Sequence, residues 1–280
     1  METRSQQPIT MMNPDVKYKD SVVAFLDILG FKFIVGNSQK DEQKRSSLVK
    51  SLVVCGNFKA GIEKQTTSGP VPMQTRNFSD NVVFFTEKKR QNITQLFFLV
   101  RYLQDRLWEQ GLCLRGAITL GGMYWPDSNN NITLGPGLIE AYKLEQEIAI
   151  YPRIIITKEL FDYIGDQYES FPFGRRQRKM KDLICRDKDG MYFLDLLNEN
   201  ITRVCREQLE NAHDGTFSVH WIEANDSNYN QICTKVNKTI QQNINSEDVK
   251  VRQKYEWLKS YMDKKNPPSQ NICKEDSNAS

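Results

Sequence analysis

Histidine is almost missing from this chain: the two copies, His213 and His220, stand far from any paired cysteines. The six cysteines, at 55, 113, 185, 205, 233 and 273, include no C-x-x-C pair. Zinc sites are built from clustered thiolates and imidazoles, so this spacing argues against one. Long apolar runs are missing too. VVAFLDIL at 22–29 and LFFLV at 96–100 are the stickiest stretches, and both fall well short of the ~20 residues that span a bilayer. The first twenty residues, METRSQQPITMMNPDVKYKD, contain no apolar core of the kind that marks a secretory signal. The expectation is a cytoplasmic protein with no membrane span, its cysteines reduced or buried. No internal repeat stands out. Neither charge dominates: 38 basic residues against 35 acidic leave a net +3, which does not describe a nucleic-acid binder.

What is present is enough for a substantial core. The 280 residues are 39% hydrophobic and 26% charged, the composition of a globular chain of one large domain or two small ones. Residues 1–20 read as a loose leader. SVVAFL at 21–26 reads as a buried strand, interrupted by Asp27 and followed by a glycine-containing turn. A helical pattern covers 38–64, and QTTSGP at 65–70 reads as a loop. Strands at 71–78 and 81–86 flank a tight break at Ser79-Asp80-Asn81, a hairpin signal. Residues 92–110 form the clearest amphipathic helix, with Ile93, Leu96, Phe97, Val100, Leu103 and Leu107 on one face. Then come a strand at 112–121, a polar loop at 126–131, a helix at 137–149 and a strand at 152–156. Thr157 caps a short helix to Ile164. A turn at 187–190 leads into a strand at 191–196. The order predicts an α+β fold over 21–197 with a ferredoxin-like or palm core, an antiparallel sheet with helices on one face. Past 198 the apolar spacing becomes helical and predicts a C-terminal helical extension over 198–265. Residues 266–280 read as a disordered tail.

Two carboxylates stand out by position. Asp27 ends an apolar strand in FLDILGF, and Asp80 tips an apolar hairpin in FSDNVVF. A charge inside such a run is costly unless it is paired or binds a cation. In a palm-type sheet this strand and this hairpin are neighbours, so the two carboxylates can meet at one edge. Two hard oxygen ligands open to water and phosphate suit Mg2+ or Mn2+. The backbone amides of Leu29, Gly30 and Phe31, in a turn leading to a helix, can cradle a triphosphate. The bland alternative is a pair of solvated aspartates capping strand ends.

Four segments then carry a family resemblance. FLDILGFK resembles the first metal motif of class III nucleotidyl cyclases, FSDNVVF the hairpin with the second metal aspartate, LRGAITLGGMYW the strand R-x-G-I-x-x-G-x, and LGPGLIEAYKLE the glycine-led helix that follows. They occur in the family's order over about residues 21–165. Within the family, the chain most resembles the bacterial pyrimidine cyclases of Pycsar antiphage systems. The resemblance implies a homodimer with shared active sites and two divalent ions per site, Mn2+ or Mg2+. It implies Asp27, Asp80 and the Ile28 carbonyl as metal ligands. It puts Arg76 and Ile132 at the base-reading positions, and Lys143 where the family has a transition-state arginine. Ile139 replaces the family asparagine, with Glu140 as its neighbour to watch. Lys181, with Lys179 nearby, lies where the family has a phosphate-binding lysine, although a solvated basic run reads equally well. Arg115 can meet either a phosphate or a carboxylate. A separate cyclic-nucleotide effector is expected alongside such an enzyme.

The base follows from hydrogen-bond chemistry at those two positions. Arg76 only donates and Ile132 does neither, a pair that suits the carbonyl oxygens of uracil. Cytosine would need an acceptor, which a backbone carbonyl or Thr133 can supply. The expected reaction is therefore UTP to 3',5'-cyclic UMP and pyrophosphate, with a cytidylate cyclase as the alternative. A catalytically inactive nucleotide-binding module of the same fold is the rival from another class, since Ile132 and Ile139 replace polar family residues.

Overall fold

A computed structural model describes residues 17–39, 41–43, 45–46, 49, 73–126, 132–166, 168–170, 177–198 and 226–265. The expected leader before 17, most of the helix expected over 38–64, the loop at 65–70, part of the basic run at 174–181, the stretch 199–225 and the tail from 266 lie outside the described residues.

The architecture is α+β. β1 (Lys19–Ile28) leads through Gly30 into α1 (Phe31–Ser38). The hairpin is β2 (Gln74–Phe78) and β3 (Asn81–Glu87), turning at Ser79-Asp80 where the motif placed it. α2 (Arg90–Trp108), β4 (Leu114–Met123), α3 (Pro136–Glu147), β5 (Ile154–Ile156) and α4 (Lys158–Ile164) follow. A small ribbon of β6 (Tyr168–Ser170) and β7 (Gln177–Lys179) precedes the strands β8 (Ile184–Arg186) and β9 (Tyr192–Leu194). The chain closes with α5 (Asp226–Asn243) and α6 (Val249–Lys265). No helix among the described residues is long and apolar enough to cross a membrane.

The main sheet runs β2-β3-β1-β4-β5-β9-β8. All pairs are antiparallel except β4 with β5. β1 is buried on both faces, which is why SVVAFL reads as a continuous apolar run rather than an alternating one. Its even residues, Val22, Ala24, Leu26 and Ile28, join the large core under α2, together with Val236 and Ile240 of α5 and Leu258 of α6. The C-terminal helices therefore complete this core. Its odd residues, Val23 and Phe25, face a smaller cluster with Val83, Phe85, Trp125 and Ala141 of α3. Most helices thus cover one face, while α3 lies across the other.

α3 can lie so close because glycine meets glycine. A Cβ on Gly121 of β4 would stand 2.5 Å from the Gly137 Cα. The buried residues of α3 are Gly137, Ala141 and Glu145, one per turn. Thr157 caps α4 as expected, its Oγ1 accepting the Leu160 amide at 3.3 Å. Cys113 and Cys233 are buried, and burial pushes the Cys113 thiol up to about 12.

Candidate active site

The site forms where β1 ends. Asp27 stands opposite Asn81 of β3 and opposite Arg115 of β4. The Ile28 amide donates to the Asp80 carbonyl at 3.0 Å, which ties the end of β1 to the tip of the hairpin. The two carboxylates are close enough that the Asp80 charge acts on Asp27. Asp80 accepts a hydrogen bond from Asn81 Nδ2 at 3.3 Å. Ser79, before it, adopts a left-handed φ of 59°, so the chain turns sharply there.

Arg115 meets carboxylates. Its Nε donates to Asp27 Oδ2 at 2.7 Å, and its Nη2 lies 2.7 Å from Glu145 Oε1. Although that second pair is at ion-pair distance, Glu145 Oε1 receives no hydrogen bond. Gln146 Nε2 donates to the other oxygen of Glu145 at 2.6 Å. The contact with Arg115 is thus coulombic, with the oxygen off the N–H direction. Glu145 is wholly enclosed. It is also the residue that sequence reasoning passed over in favour of Glu140, which is exposed. The spacing of Gly137, Ala141 and Glu145 at successive turns was the signal that could have found it.

Burial pushes Asp27 above the usual carboxylate range, with Arg115 pulling it back. The same two causes act on Glu145, again with burial the larger. A carboxyl whose folded pKa exceeds its unfolded value holds its proton longer in the folded state. Its contribution is therefore complete below the unfolded value and is lost as pH rises through the folded one. Wild type is expected to lose stability relative to Glu145→Gln as pH rises from 4.5, the ordinary value, through the raised one. Urea unfolding of both proteins at about pH 4 and about pH 7 measures this, and an unchanged difference would show that Glu145 does not titrate as its burial requires.

The other expected residues fall into four groups. Arg76 is placed beside the 132–133 segment: its Nε donates to Thr133 Oγ1 at 3.0 Å and its guanidinium lies 5.7 Å from the Phe85 ring centroid. Ile132 is half exposed next to it. Ile139 and Lys143 lie on the outward side of α3, away from the buried stripe. Within one chain they face solvent. Lys181 lies apart from Asp27 within one chain. It pairs with Asp166 at 3.6 Å and covers the Phe161 ring. Its neighbour Met180 touches Thr94 near the start of α2, beyond the end of β3 that pairs with the beginning of β1. That is the end of the sheet opposite Asp27, so Lys181 does not reach the site of its own chain. The triphosphate cradle also narrows by one amide, because Leu29 donates to the Cys113 carbonyl at 2.9 Å. Gly30, at a left-handed φ of 76°, starts α1, so it and Phe31 remain at the helix N-terminus.

No group of three or more histidine, cysteine, aspartate or glutamate side chains is assembled to hold a metal among the described residues. Two hard carboxylates near enough for one charge to act on the other do fit a divalent ion that completes its shell with water and phosphate oxygens.

No family model and no curated protein matches the sequence. Among solved structures, the chain is similar to a class III adenylyl cyclase-like ATP-binding protein from Pseudomonas aeruginosa, at 17% identity and a TM-score of 0.36, over 57% of this chain and 39% of that one. The chain thus spans about two-fifths of that protein's length. It is also similar to a double mutant of the guanylyl cyclase domain of the RhoGC fusion protein from the aquatic fungus Blastocladiella emersonii, at 11% identity and a TM-score of 0.39, over 64% of this chain and 95% of that one.

Proposed function

We propose that the chain is a nucleotide cyclase that converts UTP to 3',5'-cyclic UMP and pyrophosphate. The observation that supports this reading is the placing of Asp27 and Asp80 side by side where the end of β1 is tied to the hairpin tip, with Arg115 of β4 reaching both Asp27 and Glu145. Asp27 and Asp80 would hold two divalent ions, Mn2+ or Mg2+, with the Ile28 carbonyl beside them. When bound, such ions make the ribose 3'-hydroxyl more acidic and offset charge on the phosphates. The ribose 3'-hydroxyl gives its proton to water, its oxygen attacks the α-phosphorus in line, the bond from that phosphorus to the oxygen bridging the β-phosphate breaks, and pyrophosphate leaves. Gly30 and Phe31 hold the triphosphate at the start of α1. No covalent enzyme intermediate is needed.

Lys143 faces away from Asp27 in one chain, so it serves the reaction only across a homodimer with shared sites. Outward Phe78, Ile139 and Tyr142, each about half exposed, supply apolar surface for that contact. Mixing Asp27→Ala subunits with Lys143→Ala subunits should restore part of the activity, because one site of the mixed dimer has both halves intact. Mixed dimers that form but stay inactive would count against a shared site.

The defining experiment is incubation with each of the four nucleoside triphosphates and Mn2+, followed by detection of pyrophosphate and cyclic product. Cyclic UMP is expected. Cyclic CMP would place an acceptor such as Thr133 on the base, giving a cytidylate cyclase. Binding without product would make the chain a nucleotide-binding module, a reading favoured by the occupation of Asp27 by Arg115. Arg76→Ala should lower kcat/KM for UTP by about 1.5–3 kcal/mol in transition-state terms, with smaller losses for other nucleotides. Equal losses on all four would assign Arg76 to phosphate or to structure. In the role the sequence resemblance implies, antiphage defence, a separate receptor would read the cyclic nucleotide.

A further inference from the structure

We propose that Glu145 is a positioning residue that takes Arg115 over from Asp27 when a divalent ion enters the Asp27–Asp80 site. The inference rests on the reading of those two aspartates as cation ligands and concerns how that site is opened. Arg115 reaches three acceptors at once. Its Nε bonds Asp27 Oδ2 at 2.7 Å, its Nη2 lies 2.7 Å from Glu145 Oε1, and its Nη1 reaches the Ala149 carbonyl at 3.5 Å. Asp27 cannot serve a cation and Arg115 at full strength together, because the two positive charges compete for one carboxylate. Arg115 is thus a built-in occupant of half of the candidate cation site.

The other half of the arrangement can receive what Asp27 releases. Glu145 is enclosed on all sides, so it cannot turn to water. Its Oε1 accepts no hydrogen bond although Arg115 is beside it. A small rotation of the planar guanidinium toward Glu145 would satisfy that oxygen as the bond to Asp27 is given up. The anchor itself cannot follow. The close contact of Gly121 with Gly137 fixes α3 on the sheet, and Gln146 Nε2 holds the second oxygen of Glu145 at 2.6 Å. A lysine at 115 would carry the same charge without the fork needed to hold two carboxylates in turn. Without Glu145, Arg115 has Asp27 as its remaining charged partner in the site and should hold it more firmly.

The test is Mn2+ binding to the full chain without nucleotide, read by electron paramagnetic resonance of the free ion. The variants are Glu145→Gln, Arg115→Gln with Glu145→Gln, and Asp80→Asn, each checked for an intact fold by thermal unfolding. Glu145→Gln should weaken Mn2+ binding about tenfold, and the double variant should bind about tenfold more tightly than wild type. The double variant removes one positive and one negative charge, so net charge alone would leave the affinity at the wild-type level. Wild-type affinity in the double variant, or in Glu145→Gln, overturns the transfer of Arg115 to Glu145. Mn2+ binding that Asp80→Asn fails to weaken overturns the cation site itself, a separate failure.

Discussion

Asp80→Ala is expected to lower kcat/KM for UTP roughly 1,000-fold, about 4 kcal/mol, because it takes one carboxylate from the cation site that offsets charge on the reacting phosphates. Asp80 is the cleaner probe of the pair. Asp27 is already joined to Arg115, so removing it also disturbs a half-buried cation. The Asp80 side chain bonds only its neighbour Asn81 among the described residues, and weakly, at 3.3 Å. Its structural duty is carried by the backbone carbonyl that accepts the Ile28 amide. Alanine keeps that carbonyl, so the hairpin tip should stay in place. Steady-state kinetics with thermal unfolding as a control decide the matter. Near wild-type turnover in a folded variant would remove the cation site from the proposed mechanism.

The second large effect is on stability. Arg153→Met should destabilise the fold by about 3–5 kcal/mol, the usual cost of removing one partner from a buried ion pair. The Arg153 side chain is 1% exposed and bonds both Asp187 and Asp189 in the turn between β8 and β9. Trp257 of α6 donates its Nε1 to the same Asp187 at 2.7 Å and stacks on Tyr151 with ring centroids 5.7 Å apart. One arginine therefore joins the entry to β5, a turn on the far strands and the C-terminal helix. Methionine fills much of the volume but leaves Asp187 without a cation, held only by the neutral Trp257 indole and Lys188 amide donors. Urea unfolding at neutral pH measures the cost. A loss under about 1 kcal/mol, the worth of an exposed pair, would mean that this junction does not hold α6 in place.

Local pattern explains why much of the frame was legible in the residues. A run such as SVVAFL suits a strand buried on both faces, and Ser79-Asp80 between two apolar strands suits a tight turn. The spacing of Ile93 through Leu107 makes one apolar helix face, and α2 follows it. Asp27 and Asp80 were visible because a charge set in an apolar run demands a reason. Tertiary structure decided what no local period contains. Arg115 lies 88 positions from Asp27, and only the register of β1 on β4 sets them side by side. Whether Arg115 would meet phosphate or carboxylate was open in the sequence, and packing put two carboxylates there. Glu145 lies beside Arg115, and Glu140 faces outward, because the glycine contact between α3 and β4 sets which side of the helix is buried. Lys181 lies far from Asp27 within one chain because its turn packs against the start of α2, at the end of β1 opposite Asp27. Periodicity is a property of neighbours along the chain, whereas a site depends on which distant strand ends the sheet brings together.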